Sequence, residues 1–160
     1  MNKAVFLDRD GVLITERGEY NFQPEHMKIN AGVFDALLQM QQLGYLLIVI
    51  SNQGGISKGL YTHQEVAHFH ALMLTEFEQR GIQITDIYYC PHHPDVEMCI
   101  CRKPQALLLE KALARFDIDA SESFFIGDAE RDMQASDAAG VKKIKIEANE
   151  NLTQIVEFLL

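Results

Sequence analysis

The sequence predicts an α/β fold in which helices cover both faces of a mainly parallel sheet. Short apolar runs typical of buried strands alternate along the chain with segments of helical periodicity, and this alternation favours parallel pairing. The chain has 160 residues, of which 48% are hydrophobic and only 4 are proline, so it can bury a core and is not disordered. No repeat, low-complexity run or linker divides it, and we expect one domain over 1–160.

The strands are predicted from short apolar runs. The first covers 4–7 and ends at two carboxylates, and the second covers 45–50 and ends at a polar segment. Such continuous apolar runs are typical of strands that are buried on both faces. Three later segments have a similar apolar or alternating character: 82–89, 123–126 and 142–146.

Helices are predicted where apolar residues recur at intervals of three or four. The first ends before Gly44, and the second opens with a capping box formed by Thr62 and Glu65. A third follows Pro104, a residue favoured in the first turn of a helix. The last three helices are predicted at 106–116, 133–139 and 151–160. The second helix carries three histidines without metal-ligand spacing, expected at the surface or core edge: His63, His68 and His70.

Charge and hydropathy exclude several classes of partner. The formal net charge of −9 disfavours a nucleic acid or an anionic membrane as the main partner. No apolar run approaches the roughly 20 residues of a membrane-spanning helix, and the chain reaches Asp8 too soon for a signal-peptide core. We therefore expect a cytoplasmic protein. We also expect it to be a monomer. The polar segment 15–30 is predicted to be a loop, either beside the functional site or a simple surface insertion.

Two carboxylates, Asp8 and Asp10, follow the first predicted strand directly. Ligands of open α/β sheets bind just beyond the carboxyl ends of the strands. One reaction suits such a pair: Asp8 attacks a phosphorus atom, while Asp10 passes a proton to the leaving group and accepts one from the attacking water. The alternative is a pair of solvated acids in a turn. Their position behind a buried strand and before Gly11 favours chemistry.

Polar residues at three later points are expected to converge with this pair. Because parallel strands end at one edge of the sheet, Ser51, Lys103 and Asp128 can share its pocket. Asp8 and Asp128 offer the oxygen ligands that Mg²⁺ prefers. Ser51 can donate to a phosphoryl oxygen, and Lys103 can neutralise developing charge. Taken singly, each has a structural alternative as a turn residue, a solvated cation or a helix cap.

The three cysteines of the chain, Cys90, Cys99 and Cys101, lie within a dozen residues of one another. An odd number at this density suits a disulfide framework poorly and points to metal binding. With His92 they form a Cys₃His set typical of a structural zinc site. His92 is preferred to His93 because its spacing from Cys90 mirrors that of Cys99 and Cys101. The alternative is three unpaired thiols in a loop.

The motifs together resemble the haloacid dehalogenase superfamily of phosphatases. They are 8–12, 51–53, the Lys-Pro pair 103–104, and the Gly-Asp pair 127–128 with Asp132. The resemblance implies a Rossmann-like, three-layer fold with Asp8 as nucleophile and Asp10 as general acid/base. It also implies that Ser51 and Lys103 bind phosphate, and that Asp132 acts directly or from behind the metal ligands. Mg²⁺ would be held by Asp8, the main-chain carbonyl of Asp10, and Asp128. Neither interval between motifs has room for a cap domain.

The zinc-binding loop resembles two families, the heptose bisphosphate phosphatases and the related histidinol-phosphate phosphatases. The segment 51–59 is more similar to the heptose family, which implies a phosphorylated sugar as the substrate. Zinc would fix the backbone before Arg102 and direct it at the pocket. Arg102 and Lys58 are the predicted substrate contacts, with Asn52 and Gln53 shaping the entrance. Two other classes, a receiver-type signalling domain and a zinc-dependent nucleic-acid-binding module, are ranked lower.

Overall fold

The structure, a computed structural model, describes residues 1–160 and contains one five-stranded sheet. The strand order is β3-β2-β1-β4-β5, and every neighbouring pair is parallel. The predicted parallel sheet is thereby confirmed. The strands are β1 (Lys3–Leu7), β2 (Tyr45–Asn52), β3 (Asp86–Cys90), β4 (Phe124–Gly127) and β5 (Lys142–Lys145).

Four α-helices connect the strands, and three segments are 3₁₀-helical. The α-helices are α1 (Val33–Gln42), α2 (His63–Glu78), α3 (Leu107–Arg115) and α4 (Glu130–Ala139). The 3₁₀ segments are Pro24–His26, Ala120–Glu122 and Leu152–Leu159. The capping box predicted for α2 is present, since the Thr62 side chain accepts from the Glu65 N–H and the Glu65 side chain accepts from the Thr62 N–H. None of the helices is long and apolar enough to span a bilayer.

The core lies in two layers, one on each face of the sheet. Along β1, Val5 and Leu7 face the larger cluster of 22 buried residues, whereas Ala4 and Phe6 face the smaller cluster of 12. Helices α1 and α2 and the C-terminal segment pack on the first face, and α3 and α4 pack on the second. Because β1 is central, side chains that follow it sit between these layers, at the carboxyl edge of the sheet.

Several predicted element bounds were wrong, for local reasons. Strand β3 begins at Asp86 rather than at 82, because Ile82 still closes the end of α2 with an N–H bond to the Phe77 carbonyl. Helix α4 begins at Glu130 rather than at 133, since the Asp132 carboxylate accepts from the Ala129 N–H and caps the helix. The last segment is a 3₁₀-helix rather than an α-helix.

One further expectation for a connecting segment needs correction, and another is confirmed. Pro104 is not in the first turn of α3, because a separate turn, closed by the Gln105 N–H on the Arg102 carbonyl, precedes the helix. The polar segment 15–30 is a loop, as predicted, apart from the 3₁₀ segment Pro24–His26. Its two ends are joined by a bond from the Thr15 N–H to the Lys28 carbonyl, and it lines the pocket described below.

Candidate active site

A cavity of about 520 Å³ opens at the carboxyl edge of the sheet, where β1, β2 and β4 end. The segment 15–30 and the start of α4 complete its wall. The side chains that line it are almost entirely polar or charged, and they come from four parts of the chain: 8–20, 52–54, 102 and 128–131. The charged side chains that line it are Asp8, Asp10, Glu16, Glu19, Arg102, Asp128 and Arg131.

Asp8, the predicted nucleophile, is in direct contact with Lys103. The Lys103 Nζ lies 2.9 Å from Asp8 Oδ1, and it also donates to the Ile50 carbonyl at 2.8 Å. Burial raises the pKa of Asp8 well above its ordinary value, and the carboxylates of Asp132 and Asp128 raise it further, while Lys103 opposes both effects. Burial alone would lower the pKa of Lys103, but Asp8 and Asp132 raise it, so this lysine is charged.

Asp132 completes the surroundings of Lys103 from behind. Its Oδ1 lies 2.8 Å from the Lys103 Nζ, and both side chains are almost fully buried. One buried ammonium therefore bridges Asp8 and Asp132, which fixes both the lysine and the nucleophile. The carboxylate oxygens of Asp8, Asp128 and Asp132 also lie within 4.8 Å of one another. Of these, Asp8 and Asp128 line the cavity and offer oxygen donors that fit a divalent cation such as Mg²⁺, while Asp132 adds negative charge from behind them.

Gly11 makes room for Asp128 in this cluster. Its φ of +91° lies in the left-handed region, and a Cβ built on it would lie 2.2 Å from Asp128 Oδ2. Only glycine combines that backbone conformation with so close an approach of a carboxylate. The glycine of the first motif thus has a direct structural role in placing the predicted metal ligand.

Asp10 is held by four N–H donors. Arg9 Nε donates to Oδ1 at 3.1 Å and Arg9 NH2 donates to Oδ2 at 2.9 Å, while Asn21 and Gln53 donate one bond each at 3.0 and 3.2 Å. Burial alone would raise the pKa of Asp10, but the Arg9 guanidinium and the bonds from Asn21 and Gln53 outweigh it and lower the pKa. The carboxylate is therefore ionised and fixed in direction.

The polar residues at the end of β2 and directly after it, 51–53, do not all have the predicted environment. Ser51 is buried and does not line the cavity. Its Oγ accepts from Gln53 Nε2 at 2.8 Å, and its own hydroxyl proton has no acceptor in the protein. Gln53 does not shape the entrance as expected, because it is buried and is fixed by the Tyr61 hydroxyl at 2.6 Å. Asn52 lines the cavity and makes two bonds to the main chain of Lys103, which tether that residue to β2.

Of the two predicted substrate contacts, one lines the cavity and one does not. Arg102 lines it, and its NH1 donates to the His92 carbonyl at 3.0 Å. Lys58 lies outside the cavity and pairs with Asp95 at 3.8 Å, because the turn after β2 directs it towards the cysteine loop. Arg131, on the first turn of α4, lines the cavity and is in no ion pair. Sequence reasoning missed it.

The cysteine loop brings together three of the four predicted zinc ligands. The Sγ atoms of Cys99 and Cys101 lie 3.7 and 3.1 Å from that of Cys90, and all three cysteines are free thiols. Three converging sulfurs fit a soft divalent metal such as zinc. The structure does not bring His92 into this cluster of ligand atoms, because its Nδ1 lies 2.7 Å from the Glu97 carboxylate instead.

Arg9 was also missed from the sequence, although a signal existed. It follows β1 at the two-residue spacing of Val5 and Leu7, so its side chain is expected to point into a core layer. It is indeed 0% exposed and lies over the Phe69 ring at 4.7 Å. A charged residue at such a position requires a buried partner, which Asp10 provides.

Known proteins that are similar to this chain include phosphatases, in agreement with the geometry of the site. The D-glycero-β-D-manno-heptose-1,7-bisphosphate 7-phosphatase of Haemophilus ducreyi is 37% identical over 158 residues, which are 94% of this chain and 86% of that protein. The histidine biosynthesis bifunctional protein HisB of Legionella pneumophila is 38% identical over 149 residues, 91% of this chain but 42% of that protein. A crystal structure of D,D-heptose 1,7-bisphosphate phosphatase from B. bronchiseptica, complexed with magnesium and phosphate, superposes with a TM-score of 0.86 at 28% identity, covering 98% of this chain and 86% of that one.

The parallel sheet, the carboxylates at its edge and these relatives define a phosphatase of the haloacid dehalogenase superfamily. Within that class, the chain belongs to the family described as polynucleotide kinase 3 phosphatase, whose model matches residues 3–152. The predicted superfamily and the predicted phosphatase activity are confirmed.

Proposed function

We propose that the protein is a magnesium-dependent phosphatase that removes the 7-phosphate of D-glycero-D-manno-heptose 1,7-bisphosphate. The observation that carries this proposal is the buried contact of Asp8 with Lys103 beneath a cavity that also holds Arg102 and Arg131. The first contact suits phosphoryl transfer, and the two arginines suit a substrate with a second anionic group. Relatives of similar length named for this activity support the choice of substrate.

The proposed chemistry proceeds in two steps. Asp10 must first take up a proton, from solvent or from the bound phosphate monoester, before it can act as the acid. An Asp8 oxygen then attacks the phosphorus, the ester bond to the sugar breaks, and the departing oxygen takes that proton from Asp10. Water then attacks the aspartyl-phosphate, gives its proton to Asp10, and regenerates the Asp8 carboxylate with release of phosphate. Lys103 and Ser51 would stabilise the phosphoryl oxygens. Mg²⁺, held by Asp8, Asp128 and the Asp10 carbonyl, would supply positive charge that offsets the repulsion between carboxylate and phosphate.

Zinc would have a structural role in this scheme. Cys90, Cys99 and Cys101 would hold it, and His92, two residues from Cys90, stays our candidate for the fourth ligand. The metal would stiffen the loop immediately before Arg102. That constraint supports the proposal because the Arg102 guanidinium is already bonded to the main chain of the same loop.

Histidinol phosphate is the second candidate substrate. The similarity to the bifunctional histidine biosynthesis protein favours it, although the chain spans only 42% of that protein. Histidinol phosphate carries one phosphate and a cationic amine. Glu16 and Glu19 of the cavity wall would attract this amine, but it would be repelled by the two arginines. A doubly phosphorylated sugar brings a second anion to them instead.

The test measures kcat/KM for both substrates with the wild-type protein, with Arg102→Ala and with Lys58→Ala. We expect a higher value for the heptose bisphosphate. Arg102→Ala should cost roughly 1.5–3 kcal/mol of transition-state stabilisation on that substrate. Lys58→Ala, which removes a cation outside the cavity, is the matched control and should leave kcat/KM nearly unchanged. A higher kcat/KM for histidinol phosphate would contradict the substrate assignment and leave the phosphatase class intact.

We further propose that residues 1–160 form one domain without a cap, that the protein is a monomer, and that it acts in the cytoplasm on a small molecule rather than a nucleic acid or a membrane. The cavity is surrounded by loops and the first turn of α4, with no inserted domain between the strands, which supports the first proposal. Three free thiols suit a reducing compartment, and the net charge of −9 disfavours polyanionic partners.

A further inference from the structure

Arg9, between the two aspartates of the first motif, is buried beneath the site rather than exposed to substrate. Its side chain is 0% exposed, and it does not line the cavity. All three guanidinium nitrogens have acceptors. Nε and NH2 bind the two oxygens of Asp10, NH2 also donates to the Asn21 carbonyl at 2.7 Å, and NH1 lies 3.2 Å from Nε2 of His70. Arg9 therefore acts on the reaction only through its neighbours.

The contact of Arg9 with Asp10 fixes a direction. A planar fork that binds both oxygens of a carboxylate sets the plane of that carboxylate as well as its position. Asn21 and Gln53 add one bond to each oxygen, but neither constrains both oxygens at once. Rotation of Asp10 about its χ2 would break the two Arg9 bonds together.

His70 in turn fixes Arg9. A guanidinium has donors only, so the Nε2 atom of His70 must be an acceptor and the ring proton must be on Nδ1. Burial and the adjacent Arg9 lower the pKa of His70 to about 3, which keeps the ring neutral. The ring packs edge-on against Tyr89, whose hydroxyl lies 2.8 Å from His63 Nδ1. Helix α2 and strand β3 thus hold the fork from behind.

We propose that Arg9 and His70 form a positioning pair that aims the Asp10 carboxyl group at the leaving-group oxygen. This inference rests on the proposed role of Asp10 as general acid/base. Neither residue touches the substrate or the reacting phosphorus. His70 holds Arg9, Arg9 holds Asp10, and only the last of the three exchanges a proton with the substrate.

The test uses the dependence of the rate on the leaving group. A sugar phosphate releases a poor leaving group that needs a proton, whereas p-nitrophenyl phosphate releases a good one that does not. The value of kcat/KM reports the step in which the ester bond breaks, where the acid acts. A misdirected acid lowers kcat/KM for the sugar ester selectively, whereas general structural damage lowers it for both esters.

We expect His70→Leu to lower kcat/KM for the sugar phosphate by about 10–100-fold, because a misdirected acid loses only part of the contribution that a general acid typically makes. The value for p-nitrophenyl phosphate should fall by less than about threefold. His70→Gln, which can place an acceptor near the position of Nε2, should lose less. Arg9→Lys retains the charge but not the fork, and it should show the same selectivity if His70→Leu does not fold. His68→Leu, an exposed histidine of the same helix, is the matched control.

Asp10→Asn is measured beside these variants to separate the acid/base role of Asp10 from the positioning role of Arg9 and His70. If Asp10→Asn is selective for the sugar ester while His70→Leu and Arg9→Lys lower both esters equally, the positioning pair is refuted and the role of Asp10 stands. If Asp10→Asn is itself not selective, the acid/base assignment fails and the inference fails with it. Selective loss in all three variants, with partial rescue by His70→Gln, supports both.

Discussion

Replacement of Lys103 by methionine tests the electrostatic centre of the site. The ammonium lies 2.9 Å from Asp8 Oδ1 and 2.8 Å from Asp132 Oδ1, and its side chain is 1% exposed. Methionine fills a similar volume but leaves two buried carboxylates facing each other without a cation. Removing one partner of a buried ion pair costs about 3–5 kcal/mol. For a chain of this length, that corresponds to a fall in Tm of roughly 6–20 °C.

Thermal unfolding at neutral pH, with and without Mg²⁺, measures this cost. Mg²⁺ should restore part of the stability of Lys103→Met, since a cation beside Asp8 replaces some of the missing charge. Acid should reduce the penalty, because the pKa of Asp8 is already raised by burial and protonation removes one of the two charges. Turnover should fall by about 10²–10³-fold, the typical cost of losing one preorganised electrostatic contact.

Two further variants serve as controls for Lys103→Met. Lys142→Met removes an exposed lysine whose Nζ lies 4.0 Å from Glu122, and it should change the free energy of unfolding by less than about 1 kcal/mol. Adding Asp132→Asn to Lys103→Met removes one of the opposed charges and should recover part of the loss. Unfolding of Lys103→Met at the wild-type temperature, or further destabilisation in the double variant, would refute the bridging role of the lysine.

Four other outcomes are expected. Asp8→Asn should abolish turnover while the protein remains folded, and near-normal phosphate release would exclude the aspartyl-phosphate mechanism. Gly11→Ala should weaken activation by Mg²⁺ beyond Gly59→Ala, because both have positive φ but only Gly11 abuts Asp128; equal Mg²⁺ titrations would count against this. Cys99→Ser should lower the zinc content measured by elemental analysis and reduce kcat/KM, and full activity of the zinc-free variant would show that the loop does not position Arg102. As pH falls from 6.5 towards 3, His70 should lower the free energy of unfolding by about 1.4 kcal/mol per pH unit, because His70 becomes protonated only in the unfolded chain. Between pH 7 and pH 5, the free energy of unfolding measured in urea should therefore fall by about 2 kcal/mol more for wild type than for His70→Gln.

Much of the site could be predicted because three of its four motifs lie at the carboxyl end of a strand. Asp8, Ser51 and Asp128 lie at the ends of β1, β2 and β4, and a parallel sheet brings such ends to one edge. The clustering of Cys90 with its two later cysteines was likewise readable from spacing. In each case the relevant contacts follow from local structure and the direction of the strands.

The contacts that hold these residues could not be read in the same way. That Asp132 pairs with Lys103 depends on how α4 meets the turn before α3, and no periodicity relates the two segments. Gln53 was expected at the entrance and is buried instead, because a tight turn after β2 rotates its side chain towards Asp10 and Tyr61. The direction of a side chain such as that of Gln53 depends on the conformation of one or two turn residues, which the pattern of residue types does not predict.

The sequence by itself therefore determined the class of fold, the order of the strands' functional ends, and which residue types meet there. Only the tertiary structure decided which cations face the substrate and which serve other residues. Arg131 lines the cavity and Lys58 does not, although both are basic residues near a strand end. Arg9 is buried beneath Asp10, where His70 meets it from a helix 61 positions away. The physical reason is that an ionic contact depends on distances of a few ångströms between elements, which packing sets and local sequence does not.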